Sequence, residues 1–379
     1  MYLISQKFLK IISLIVFFTL SHEYLFSQED TGTSFNKNHL VIGTKAHYGF
    51  IIAHRDNMAH LVKGHVPGFE VNLSKQTYGN ESWQQLYNYP TIGLSFIHVN
   101  LGNPEQFGNG NGIFGYINFP IIIARRFMFN YRFGSGAGIV DKPFDREFNY
   151  KNNAIGSHLN ILMHILLESK WKVSRNLLLT AGIGFTHFSN GAFKVPNLGI
   201  NIPTVNIGAS YQIGSLAQQS DFIKDSLHEK GGKIEYSVVT AFSVKEIHPP
   251  GGPKYPVYTL SGNITKPVGR KRRFGIGLYM FYDGSNIETF NSDTSNTFTE
   301  KKSEFIRTGI HFSHDLVIGK LTAITQMGVY LYTKLKNDGS LYHRFAYRYQ
   351  LSKHLFICLA LKTHWAKADY MEFGMGSKF

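Results

Sequence analysis

From about residue 39 to its end the chain repeats one device: stretches of roughly ten residues in which apolar and polar side chains alternate, set apart by turn-forming residues. Successive side chains of a strand point to opposite faces, so each stretch has one apolar and one polar face. Roughly ten residues is also the length a tilted strand needs to cross a bilayer. Together these predict an all-β, antiparallel transmembrane β-barrel, with lipid outside and a polar lumen inside. The composition agrees: 31 Phe, 21 Tyr and 37 Gly stand beside a mean hydropathy of only -0.14. A helical membrane protein is excluded, because the one long apolar run is Ile11 to Leu20. Lys7 and Lys10 precede that run and Ser21, Ser27 and Gln28 follow it, which predicts a secretory signal peptide over 1–27 and an exported chain.

Turn signals and alternation place about sixteen strands, near 39–54, 66–78, 90–102, 111–123, 127–138, 156–171, 175–189 and 198–213, then near 232–246, 255–266, 273–283, 303–314, 319–333, 340–350, 355–365 and 369–379. The count is even, as single-chain bacterial barrels require. Short turns such as 124–126, 174–176 and 351–353 fall on the periplasmic side, while 139–155 and 284–302 become extracellular loops. Two connections, 79–89 and 214–231, are long yet periplasmic. The second divides a first half, 28–213, from a second half, 232–379, and keeps two linked eight-stranded barrels as the alternative to one barrel of about sixteen strands. The last strand alternates Met371, Phe373, Met375, Ser377 and Phe379 against Glu372, Gly374, Gly376 and Lys378, the pattern by which outer-membrane barrels are recognised by the assembly machinery.

A net charge of +14 raises nucleic acid as a partner. An exported chain whose Lys and Arg are scattered rather than interleaved with stacking aromatics argues against it. The same charge suits a surface bathed in phosphorylated lipid. The single Cys358 allows no internal disulfide, which a closed hydrogen-bonded ladder does not need. Gly134-x-Gly136-x-Gly138 lies late in a strand with no helix after it, so it is barrel packing rather than a nucleotide loop. No paired metal-ligand spacing occurs among the histidines, and neither metal nor cofactor is assigned.

Candidate chemistry concentrates between Gly184 and Asn201. His187 and Ser189 are two apart on an extended strand, so they share a face, as a base and its serine nucleophile must. Stepping back from them by twos gives Phe185, Ile183, Ala181, Leu179 and Leu177, an apolar row; the alternate row holds Phe188, Thr186, Gly184, Gly182 and Thr180, small or polar apart from Phe188 at the strand end. The pair is therefore expected to face lipid. On the following strand Asn201 belongs to the apolar row of Pro203, Val205, Ile207, Ala209, Tyr211 and Ile213, and so faces lipid beside them. Polar side chains on a lipid face are costly unless used. An ester-cleaving site for a membrane lipid would use them.

The segment resembles the active-site signature of the PagL-type lipid A 3-O-deacylases: His187, Ser189 and Asn190 match its His-x-Ser-Asn core, and Pro196-Asn197 and Gly199 match downstream. Lys142-Pro143-Phe144-Asp145 and Ile155-Gly156-Ser157-His158-Leu159-Asn160 are similar to longer relatives known as acyloxyacyl hydrolases. The likeness covers about 40–213. It implies an outer-membrane serine esterase acting on lipid A or lipopolysaccharide from the barrel's outer wall, with Ser189 as nucleophile, His187 as base, and Asn190 with nearby backbone N–H groups, such as that of Gly191, at the oxyanion.

One position departs from the family. Its third triad member is a glutamate twelve residues after the serine, where this chain has Asn201. An amide can orient a histidine, but it cannot stabilise an imidazolium with a full charge, and Asp-to-Asn in a serine triad costs roughly ten-thousand-fold. Glu168, late on the preceding strand, is a substitute only by proximity. The second half echoes the site at Thr363-His364-Trp365, but with spacing one residue shorter, which turns His364 to the lumen, and with Ala366 in place of the serine. The competing reading is a non-enzymatic outer-membrane channel or surface barrel with a decayed site.

Overall fold

The computed structural model describes residues 40–213, 222–224, 232–335, 338–365 and 367–379. The expected signal peptide and most of the 214–231 connection lie outside them. The first eight strands are β1 (Leu40–Gly49), β2 (Val66–Gln76), β3 (Thr91–Asn100), β4 (Asn109–Ile123), β5 (Phe127–Val140), β6 (Leu159–Lys172), β7 (Leu177–Ser189) and β8 (Ile200–Ile213). The second eight are β9 (Glu235–Glu246), β10 (Lys254–Val268), β11 (Arg272–Asp283), β12 (Ile306–Ile318), β13 (Leu321–Tyr332), β14 (Leu341–Gln350), β15 (Leu355–His364) and β16 (Lys367–Lys378).

These strands close twice. β8 pairs with β1 in unbroken register from Leu40 opposite Ile213 to Gly49 opposite Thr204. β16 closes on β9, with Phe373 opposite Phe242. The single barrel of about sixteen strands is thereby corrected: the chain forms two separate closed eight-stranded antiparallel barrels. The reason is visible in the lumen. Eight strands leave an interior just wide enough for side chains to fill, whereas sixteen would enclose water. In the first barrel Phe114, Leu162, Phe188 and Ile202 form an apolar core at one end. Below them, buried Glu70 pairs with Arg132 at 2.6 Å and Glu168 with Lys45 at 2.7 Å. A buried charge without a partner costs several kcal/mol, so these pairs are what makes a narrow polar lumen tolerable. The second barrel repeats the solution with Tyr279, Phe281 and Tyr342 packed together and Arg344 held 2.8 Å from Glu372.

Outward rows carry the lipid face, with Ile183, Val205 and Ile207 well exposed. Each barrel has a rim of tight turns and a rim of longer loops. The long 77–90 connection lies on the turn rim, and its physical reason is contact with the neighbouring barrel. Its short helix, Ser82–Leu86, sets Trp83 against Gly319, where an added Cβ would come within 2.8 Å of the indole. Tyr87 Oη donates to the Val317 carbonyl at 3.0 Å. The described piece of the other long connection docks on the same place: Ile223 N–H donates to Tyr78 O, and Tyr89 Oη donates to Ile223 O, both at 2.9 Å.

Candidate active site

On the loop rim of the first barrel, β7 and β8 set His187 directly opposite Asn201. Opposed residues of an antiparallel pair have their Cβ atoms about 5 Å apart, and here the side chains meet, with His187 Nδ1 2.6 Å from Asn201 Oδ1. Both are half-buried on the outer wall, as is Ser189, two residues on. The Ser189 hydroxyl makes no hydrogen bond among the described residues.

A residue that sequence reasoning missed completes the arrangement. Beyond Gly49 the chain keeps bonding alongside β8, Ile52 N–H donating to Asn201 O at 2.9 Å. That delivers His54, whose Nδ1 lies 3.0 Å from Asn201 Nδ2 and whose Nε2 lies 3.1 Å from Leu198 O. The polarity of this chain can be worked out from its end. A carbonyl only accepts, so the neutral His54 ring donates from Nε2 and presents a lone pair at Nδ1. Asn201 must then donate from Nδ2, which turns Oδ1 toward His187. His187 in turn donates from Nδ1 and keeps its lone pair on Nε2, the tautomer a general base requires. Ile52 O also lies 3.5 Å from His54 Nδ1, but it already accepts from the His54 backbone N–H at 3.0 Å and is too distant to compete.

Gly199 makes room for the ring. An added Cβ there would stand 2.7 Å from His187 Cε1, and its φ of +84° is a conformation glycine adopts without strain. The loop after Ser189 is held by the second motif. Asn190 Nδ2 donates to Ser157 Oγ at 2.7 Å and to Lys194 O at 2.9 Å, and its backbone N–H donates to Asn197 Oδ1 at 2.9 Å. The Asn190 amide is thus spent on the loop. Among the described residues the Gly191 N–H makes no hydrogen bond. Ile155 bridges to Asn197, and Gly199 N–H donates to Ala154 O at 2.9 Å.

The alternative acid does not reach the histidine. Glu168 is enclosed in the lumen with Lys45 and Lys170. Asp145 accepts from the Phe148 and Glu147 backbone N–H groups at 2.9 Å each, bonds that lower its carboxyl below the usual carboxylate range. In the second barrel His364 is buried in the lumen with Nε2 2.8 Å from Tyr330 Oη.

Two apolar grooves flank the site. One, of about 620 Å³, runs down the first barrel's wall past Phe185, Pro203, Val205, Tyr48 and Phe50. The other, of about 430 Å³, lies between the barrels and starts at Asn190, Gly191 and Ile161, the last being the cross-strand partner of Ser189.

Against known families, residues 67–210 match the model described as lipid A 3-O-deacylase (PagL), and residues 234–379 match that of the acyloxyacyl hydrolase C-terminal domain. The chain is an outer-membrane β-barrel of the PagL and acyloxyacyl hydrolase family. The second half of this PagL-family chain, where the sequence offered only a weak echo, thus has a counterpart of its own. No curated protein matches the chain. Among solved structures, Neisserial surface protein A aligns at 13% identity over 46% of this chain and 97% of its own, with a TM-score of 0.31. A mutant of the Rh. blastica porin aligns at 9% identity over 90% of this chain and 99% of its own, with a TM-score of 0.20.

Proposed function

We propose that the first barrel is a serine esterase that removes an ester-linked acyl chain from lipid A at the outer leaflet. The observation that carries this reading is the oriented chain Leu198 O, His54, Asn201, His187, which leaves the Nε2 lone pair of His187 for Ser189, two residues on along the same outer row of β7. Ser189 Oγ attacks the ester carbonyl while His187 Nε2 takes its proton. The tetrahedral oxyanion is met by the Gly191 N–H, a backbone donor of the kind usually worth a few kcal/mol of barrier. Collapse breaks the ester C–O bond, and the departing sugar oxygen takes the proton from His187 and leaves as a hydroxyl. Water, deprotonated by the same ring, then attacks the acyl-enzyme; collapse releases a fatty acid, and His187 returns the proton to Ser189 Oγ. Hydrogen bonds of this kind often form only with substrate bound, so an unbonded Ser189 hydroxyl is compatible with the scheme.

Mass spectrometry of lipid A from cells carrying the barrel, beside Ser189→Ala and His187→Ala variants inserted to the same level, tests the reading. Loss of one acyl chain only with the parent supports it; unchanged lipid A in all three overturns it. The second reading, a non-enzymatic surface barrel, is favoured by the neutral amide at the family's acid position and by the Ser189 hydroxyl having no hydrogen bond among the described residues. A conducting channel is a weaker form of that reading, because side chains occupy both narrow lumens.

A further inference from the structure

We infer that the second barrel supplies one wall of the groove that holds the acyl chain being cleaved, and so sets which chain lengths are accepted. The inference rests on the esterase reading and concerns the same site. Around the first barrel the order is His54 beside β8, Asn201 on β8, His187 and then Ser189 along β7, and Ile161 on β6 opposite Ser189. In an acyl transfer the leaving oxygen must sit by the base that reprotonates it, so the acyl chain departs from the carbonyl on the side away from His187. That side is the one marked by Ile161 and Gly191, where the groove between the barrels begins. Its occupant is a single saturated hydrocarbon chain: the lining is almost wholly apolar and faces the lipid layer.

The groove exists only because two barrels stand side by side. From the first come Ile161, Gly191 and Ala137; from the second, Met371, Phe373 and Phe242. Met371 is placed to gate the entrance, since a Cβ added at Gly191 would come within 2.2 Å of its Cγ. Phe373 and Phe242, paired across the β16–β9 closure, lie about 7 Å deeper at roughly 3.3 Å per residue. Further down, the Phe133 and Tyr347 rings, one from each barrel with centroids 6.0 Å apart, close the gap. Ala137 and Phe133 are four residues apart on β5, so this stop lies roughly 13 Å below Ala137. A groove with a floor measures chain length.

The test uses the full chain refolded in detergent and p-nitrophenyl esters of octanoate, dodecanoate and hexadecanoate, with heat-dependent gel mobility as the check on folding. Ala137→Phe and Met371→Trp fill the groove from opposite walls. Each is expected to lower kcat/KM for hexadecanoate relative to octanoate by about tenfold, the loss when about two methylenes are kept out of an apolar site. Phe373→Ala is expected to move the ratio the other way. Hydrolysis with an unchanged ratio in all three, or a shift produced instead by Val205→Trp in the other groove, overturns this inference and leaves the esterase standing. No hydrolysis of these esters or of lipid A by the parent overturns both.

Discussion

If the His54, Asn201, His187 chain works by fixing an amide, the chemistry at position 54 should matter in a sign-specific way. His54 serves as an acceptor for Asn201 Nδ2. His54→Gln keeps an acceptor there. His54→Ala removes it, which frees the amide to turn over and offer Nδ2 to His187 Nδ1, holding the ring in the tautomer with no basic Nε2. A net hydrogen bond of about 0.5–1.5 kcal/mol is lost, so activity should fall by roughly two- to twelvefold. His54→Lys provides only donors and draws Oδ1 toward itself. A bond to a charged group is worth about 1.5–3 kcal/mol, so the wrong orientation is then favoured and activity should drop roughly ten- to hundredfold or more. Asn201→Asp should raise kcat by only about tenfold: the roughly ten-thousand-fold loss of an amide triad comes from the wrong tautomer, which His54 already prevents, and what is left to gain is a charge-assisted hydrogen bond to the developing imidazolium. It should also reverse the ranking: a carboxylate has no wrong end, so His54→Lys in that background should be as good as His54→Gln. Initial rates of fatty-acid release from purified lipid A measure all of these. The reasoning is refuted if His54→Lys and His54→Gln are equal in the parent, or if their order survives Asn201→Asp.

Gly199→Ala should cut activity at least tenfold while the barrel still folds, because the added methyl enters the His187 ring at 2.7 Å; gel mobility and rate together check it. Asn190→Ala removes two donors and an acceptor from the 190–199 loop, so protease cleavage in that loop should appear alongside the loss of activity, where a purely catalytic role would leave the loop resistant. Arg132→Ala leaves buried Glu70 without its closest partner and should destabilise the first barrel by about 3–5 kcal/mol, read from the urea midpoint of gel-shift unfolding. Arg132→Met paired with Glu70→Leu should recover most of that loss, because the cost lies in the orphaned charge.

Strand positions and faces were legible because period two is strict in a barrel wall: His187, Ser189 and Asn201 lie on the outer wall where alternation put them. Closure was not legible, because alternation says which face a residue takes and nothing about which strand is its neighbour. That gap hid His54. It continues β1's outward row of Ile42, Thr44, Ala46, Tyr48, Phe50 and Ile52, and so is visible as an outward residue. With one sixteen-stranded barrel, however, β1 would border β16, and His54 would have been far from Asn201. Only closure of β8 on β1 makes them neighbours. One sequence signal did bear on closure. Phe114, Leu162 and Phe188 point inward, and large apolar side chains belong in a lumen narrow enough to bury them. Asn190 shows a different gap: an asparagine beside a nucleophile has the chemistry of an oxyanion donor, and only the fold reveals that its Nδ2 donates to Ser157 Oγ and Lys194 O.

The two barrels also show how little separates a site from its absence. In the first, β7 runs without interruption and His187 faces outward beside Asn201. In the second, the β15–β16 ladder shifts register between Lys362 and Thr363. The extra residue is Asp369 on β16, so β15 keeps its alternation, and His364 stays on the inward row of Cys358, Ala360 and Lys362, in the lumen, where Tyr330 and, at 3.6 Å, Asp369 receive it. Trp365 takes the outward position, and Ala366, at the place of the serine by sequence, lies outside the described residues. An inward histidine cannot meet a lipid ester. The second barrel can therefore act on a lipid only with its outer wall, and the part of that wall nearest Ser189 is the β16–β9 closure with Met371, Phe373 and Phe242. A lone first barrel would carry the catalytic groups but no floor or far wall for the chain it cleaves.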